Sequence, residues 1–338
     1  MLIERLIEND TPHENLISEA LKDKLRAKAF GITPENAEET IHKRWDLLKS
    51  IYPAFKDLCQ TTLQMQPNAI LSTLWDLWLP LAIQIASRHQ KIQRPFIQGI
   101  LGGQGTGKTT TCKVLNLILS QLEYRALSLS IDDLYKTYQA RLILQQQDPR
   151  LIWRGPPGTH DIDLGLNLLD NILQRQFTIT VPRFDKSLHS GNGDRTLPER
   201  VQNIDIVLFE GWFVGVQPIN STAFANPPLP IITAADKAFA KDMNYKLHDY
   251  LPLWQRLDSL IVLYPTDYRL SLEWRKQAEH QMKARGKTGM TDLQIEEFVN
   301  YFWKALHPEL FIKPLIESSF VDLVIEINPD HSFGKVYQ

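Results

Sequence analysis

The run Gly102-Gly103-Gln104-Gly105-Thr106-Gly107-Lys108-Thr109 has the form G-x-x-x-x-G-K-[ST]. It lies between two segments of opposite pattern. Phe96 to Leu101 is short and almost wholly apolar, which predicts a buried strand; Thr109 to Leu122 repeats apolar residues at helical spacing. A strand, a glycine turn and a helix start form an anion site. Glycines bring backbone N–H groups close to phosphate oxygens, and the helix dipole adds positive potential. Lys108 is placed to reach the β- and γ-phosphates of a nucleotide, and the Thr109 hydroxyl to hold Mg²⁺. Gly102, Gly103, Gln104, Gly105, Thr106, Gly107, Lys108, Thr109 and Thr110 are therefore the candidate ATP cradle.

The rest of the chain is organised around this turn. Residues 1–90 show helical patterns and no strand: Leu16, Ala20, Leu21 and Leu25 form one stripe, Trp45, Leu48, Ile51 and Phe55 a second. Trp75, Trp78, Leu81, Ile85 and Ala86 form a third, which Pro80 should break or begin. The tryptophans read as core of a helical layer. The expected organisation is an N-terminal helical extension over 1–90 and a P-loop domain over 91–338. Its fold class is α/β, with a mostly parallel sheet flanked by helices.

Composition limits the partners. The formal net charge of −2 offers no bulk attraction for nucleic acid or anionic membrane, and no apolar run is long enough to span a bilayer. Cys59 and Cys112, the only cysteines, suggest neither a disulfide framework nor a zinc site. The start carries no signal or transit pattern, so a cytoplasmic protein is expected. A monomer or small homo-oligomer is expected.

Acids fall at the predicted strand ends. Arg125 to Ile131 alternates and ends in Asp132-Asp133, and Ile204 to Phe209 runs into Glu210-Gly211. Ligands of open parallel sheets meet the carboxyl ends of strands. Asp132 is the candidate base for an attacking hydroxyl, with a second possible role at the metal. Asp133 is the secondary candidate for the base, or orients Mg²⁺ or contacts the substrate; the alternative for both acids is to cap the next helix. Glu210 is the candidate metal-ordering acid. Arg154-Gly-Pro-Pro-Gly-Thr-His160-Asp161 is a shaped loop before a helix capped by Thr159 or Asp161. Arg154 and His160 could hold an anionic substrate there, or serve as an ion pair and a packed core group.

After a β-branched strand at Phe177 to Val181, the loop 183–195 supplies Arg183, Lys186 and Arg195 for a carboxylate or phosphoryl group, or else as a solvated face. Residues 217–235 read as an irregular excursion. Asp258 to Tyr264 reads as another strand. A charged helix from Leu270 carries Arg275 and Lys276, with Arg285 and Lys287 further on, as a candidate cationic lid over 270–290. Thr291 should cap the next helix, and Val321 to Ile327 should be the last strand.

This order resembles the P-loop kinases of small molecules, the group of uridine kinase, phosphoribulokinase and pantothenate kinase. Within it, Ser130-Ile-Asp-Asp-Leu-Tyr135, Arg154 to Asp161, Pro182-Arg-Phe-Asp-Lys-Ser187, Ser190-Gly-Asn-Gly-Asp-Arg195, Phe209-Glu-Gly-Trp212, Trp274-Arg-Lys-Gln-Ala-Glu279 and Gly289-Met-Thr-Asp292 resemble the D-glycerate 3-kinases. The resemblance runs from about Trp75 to Asn328. It implies ATP- and Mg²⁺-dependent transfer of a phosphoryl group to the 3-hydroxyl of D-glycerate, as in photorespiration. It also implies Asp132 as base, Glu210 at the metal and Arg275 in the lid. The other readings are a kinase for pantothenate or a nucleoside, and a non-catalytic ATP-binding regulator.

Overall fold

The computed structural model describes residues 14–338 except 285, 287 and 288. The central sheet has six strands in the order β10-β9-β8-β1-β7-β2. Here β1 is Phe96–Gly102, β2 Ala126–Ser130, β7 Ile206–Gly211, β8 Ser259–Pro265, β9 Leu323–Ile327 and β10 Phe333–Tyr337. Five strands run parallel, and β10 lies antiparallel on the edge. Val321 to Ile327 is thus not the last strand, as its pattern suggested. β10 follows it, and its Gly334 and Lys335 hide it from an apolar reading.

Side chains alternate across the sheet, so each strand feeds two cores. Ile97, Leu101, Val207, Phe209, Leu260 and Val262 face one cluster. Phe96, Ile100, Ile206, Leu208, Ile261 and Leu263 face the other. The N-terminal helices cover this second face. Glu14–Lys22 (α1), Lys24–Ala29 (α2) and Ala37–Leu58 (α3) lead to Leu79–Ile92 (α4), which starts after a π-turn at Leu74–Trp78. Pro80 follows that π-turn in a run that is helical from Leu71 to Ile92, so it interrupts the hydrogen-bond ladder with a bulge rather than starting the helix. Trp45, Trp75 and Trp78 are buried with Ile100, Leu115 and Ile118, so the apolar cluster continues unbroken across residue 90. Among the described residues no helix is long and apolar enough to cross a membrane.

The glycine loop leads into Lys108–Gln121 (α5). Beyond β2, a 3₁₀ turn at Ile131–Leu134 precedes Tyr138–Gln147 (α6), and Asp161 caps Ile162–Leu173 (α7) by accepting from Leu164 N. Thr178–Val181 (β3) does not join the main sheet. It pairs with Glu199–Gln202 (β6), and between them Phe184–Asp185 (β4) and Asp194–Arg195 (β5) close a small hairpin. Ala234–Lys246 (α8) follows the irregular excursion. Leu270–Ala284 (α9), Asp292–Ala305 (α10) and Pro308–Ile316 (α11) complete the helices.

Candidate active site

Sheet register assembles the site. Within the ladders Ser130 pairs with Glu210, and Ile100 pairs with Glu210 from the other side. The tips of β1, β2 and β7 therefore end level with one another. Asp132 and Glu210 meet at the mouth of the glycine loop although 78 residues separate them in sequence.

The loop is shaped by glycine where the backbone demands it. Gly105 and Gly107 have φ of +80° and +85°, a region that L side chains enter at a cost. A Cβ on Gly105 would stand 2.7 Å from the Trp274 Cβ. Thr106 Oγ1 and Lys108 Nζ both donate to Gly103 O, at 2.9 Å each. Thr109 Oγ1 donates to Glu210 Oε1 at 3.4 Å. These two oxygens open onto the cleft and suit a hard cation.

A cleft of about 860 Å³ lies in front of the loop. Lys108, Thr109, Asp132, Arg154, Lys186, Glu210 and Arg275 all line it. Lys186 Nζ, on the hairpin, sits 2.6 Å from Asp132 Oδ2. Burial would raise the Asp132 carboxyl, but Lys186 and the Tyr135 hydroxyl outweigh it and hold the carboxyl below its ordinary range. Glu210 goes the other way: burial pushes it up, Lys108 pulls it back, and the Asp132 charge adds to the rise. Burial lowers the Lys108 ammonium, opposed by Glu210 and Asp132. Arg154 donates to Gly191 O at 2.6 Å, fastening its loop to the hairpin. Trp153, Trp212, Phe298 and Phe302 supply an aromatic wall.

Five candidate substrate and lid side chains do not line this cleft. Asp133 completes a capping box with Ser130 and pairs with Arg183 at 2.9 Å, the geometry of a helix cap. Arg183 also binds Glu199 at 2.6 Å. Arg195 binds Asp161 at 2.8 Å and donates to Tyr135 O. His160 is 1 % exposed, stacks on Tyr135, and exchanges a hydrogen bond with the Tyr250 hydroxyl at 2.7 Å. Burial lowers its pKa to about 3, so the ring is neutral and packs as core. Lys276 is turned to Glu296 at 2.6 Å. Arg285 and Lys287 lie outside the described residues.

Sequence reasoning assigned no role to Tyr135 or Glu279, which also line the cleft. The signal for Glu279 was its spacing of four from Arg275, which puts both on one helix face.

No family model matches the chain. It is 30 % identical over 305 residues to the chloroplastic D-glycerate 3-kinase of Arabidopsis thaliana, covering 83 % of this chain and 64 % of that relative. The chain thus spans under two thirds of that relative's length. It is 33 % identical over 218 residues to the uncharacterized kinase mug58 of Schizosaccharomyces pombe, covering 62 % and 79 %. The solved D-glycerate 3-kinase of Cryptococcus neoformans var. grubii superposes with a TM-score of 0.68 at 28 % identity, covering 76 % of this chain and 96 % of that one. A parallel sheet with this loop at one strand tip and acids at the tips beside it is the P-loop nucleotide-binding arrangement, and these relatives place the chain among the P-loop kinases. Among these, the chain belongs to the family that contains the D-glycerate 3-kinases.

Proposed function

We propose that this chain is an ATP-dependent kinase that phosphorylates the 3-hydroxyl of D-glycerate. The observation that carries the reading is the convergence of Lys108, Asp132, Glu210 and Lys186 on one cleft at the glycine loop. The N–H groups from Gly102 to Thr110 and the Lys108 ammonium bind the triphosphate. Thr109 and Glu210, 3.4 Å apart, would hold a Mg²⁺ whose other ligands are phosphate and water. Its charge would offset that of the phosphates. Asp132, ionised because Lys186 faces it, accepts the proton of the acceptor hydroxyl. A bond forms between that oxygen and the γ-phosphorus, and the bond to the β,γ-bridging oxygen breaks, leaving ADP and 3-phosphoglycerate. Arg275 covers the charge that develops on the transferred group. Glycerate is too small to be oriented by area, so Arg154 and Lys186 hold its carboxylate by charge pairing.

A second reading is a kinase for a larger alcohol such as pantothenate or a nucleoside; the aromatic wall of Trp153, Trp212, Phe298 and Phe302 favours it. Residence in the cytoplasm and a part in photorespiratory salvage of glycerate extend the first reading. The buried free thiols of Cys59 and Cys112 suit a reducing compartment.

The test is ADP release measured with D-glycerate, L-glycerate, pantothenate, uridine and no acceptor. D-Glycerate alone should support turnover, with 3-phosphoglycerate as product. Turnover of pantothenate or uridine in preference selects the second reading, and ATP binding without release by any acceptor selects a regulator.

A further inference from the structure

We propose that Glu279 is the positioning residue that holds Arg275 for its work in the cleft. The inference rests on the kinase reading and gives a role to a carboxylate which that reading leaves unused. Glu279 is only 4 % exposed, yet it lies on the cleft face of α9. Its two oxygens have different partners. Oε2 pairs with Arg275 Nη2 at 3.1 Å, and Oε1 accepts the backbone N–H of Met290 at 2.8 Å. One side chain thus joins the lid helix to the segment that leads into α10.

The surroundings fit this clamp closely. A Cβ on Gly289 would fall 2.5 Å from Glu279 Oε1, so no side chain fits there without displacing the carboxylate. The Arg275 guanidinium lies over the Phe298 ring at 5.6 Å, and its Nη2 is 3.9 Å from the Met290 sulfur. Lys283 donates to Met290 O, which secures the same segment a second time.

Helix stability does not account for the pair. At a spacing of four, the favourable order places the acid before the base, and here Arg275 precedes Glu279. An ion pair whose arginine is partly exposed also contributes little net stability, because solvent screens it. What it does fix is direction. Arg275 has a long flexible stem and a planar fork, and holding one edge of that fork removes most of its freedom. On that same edge, among the described residues, Arg275 Nε is buried with no hydrogen-bond partner. A guanidinium fixed by one edge, on a residue that lines the cleft, is placed to meet an anion there. Glu279 acts through Arg275 and touches no reacting atom.

The experiment uses the full chain and whichever acceptor of the panel above the wild-type protein turns over. Glu279→Gln keeps the volume and an acceptor for Met290 N–H, and removes the charge facing Arg275. The expected result is a fall in kcat of at least tenfold, with KM for ATP within twofold of wild type. The melting temperature should stay within two degrees. Arg275→Ala should lose at least as much, and Arg275→Ala with Glu279→Gln should be no slower than Arg275→Ala alone. Wild-type kcat in Glu279→Gln would overturn the proposal. So would losses that multiply in the double variant, or a loss that follows a fall in melting temperature. If the wild-type chain turns over no acceptor, the kinase reading fails first and the inference falls with it.

Discussion

The glycine loop permits a graded test, because three of its glycines meet different constraints. A Cβ on Gly103 has only the Thr106 Cγ2 near it, at 4.0 Å, and that residue lacks a positive φ. Alanine there should leave stability unchanged or raise it slightly, as the unfolded chain loses freedom. Gly107 has φ +85° and nothing within 4 Å of a Cβ, so alanine costs only the backbone term of about 1–2 kcal/mol. Gly105 has φ +80°, and a Cβ would also lie 2.7 Å from Trp274 Cβ and 2.9 Å from its Cε3. Trp274 cannot easily yield: it is buried, donates to Pro329 O at 3.0 Å and stacks on His331. Overpacking adds about 1–3 kcal/mol, for a total near 2–5 kcal/mol. At about 2.1 cal/mol/K per residue, a chain of 338 residues has an unfolding entropy of roughly 0.7 kcal/mol/K. The melting temperature should then fall by about 3–7 °C for Gly105→Ala, about 1–3 °C for Gly107→Ala, and not at all for Gly103→Ala. Calorimetry of the three variants reads this order. A Gly103→Ala protein as destabilised as Gly105→Ala would refute the steric reasoning.

Other outcomes follow from the charges. Lys186→Met should raise KM for an anionic acceptor roughly two- to fivefold, the worth of up to about 1 kcal/mol for a largely exposed lysine. It should also move the acid limb of the rate profile upward, since burial of Asp132 is then less opposed. In the wild-type protein that limb should lie below the ordinary carboxylate range, because a carboxyl of lowered pKa stays ionised until the pH falls past it. His160 should make the protein acid-sensitive. Its pKa is about 3 when folded and near 6.5 when exposed, so the unfolded chain gains a proton first as the pH drops. Stability should fall between about pH 6.5 and 3, by up to ~1.4 kcal/mol per unit from this group. His160→Gln should flatten the urea-midpoint profile in that window; an unchanged slope would remove His160 as the cause.

Local patterns made much of the fold legible. The glycine run, the apolar β1 and the helical α5 are contiguous, so one window of sequence holds the whole cradle. Glu210 and Asp132 were legible because buried parallel strands end where their apolar runs end. Features fixed by distant partners were not legible. Glu199–Gln202 is polar and forms a strand only because β3 lies beside it. The hairpin that swings Lys186 to within 2.6 Å of Asp132 has no signal beyond its glycines and charges. Arg183, Arg195 and Asp133 resemble substrate contacts in sequence, yet each finds an opposite charge or a backbone N–H inside the protein. His160 has two readings in sequence, substrate donor or core group, and the aromatic packing of Tyr135, Phe213 and Tyr250 favours the second.

The most direct measurement is made on Asp132→Asn, comparing ATP binding with acceptor-dependent turnover in the same preparation. The expected result is ATP affinity within about threefold of wild type and kcat lower by roughly 10²–10⁴-fold, the range for removal of a general base. Turnover within about threefold of wild type would contradict a base at the tip of β2, and with it the arrangement of acids around the glycine loop as phosphoryl-transfer machinery.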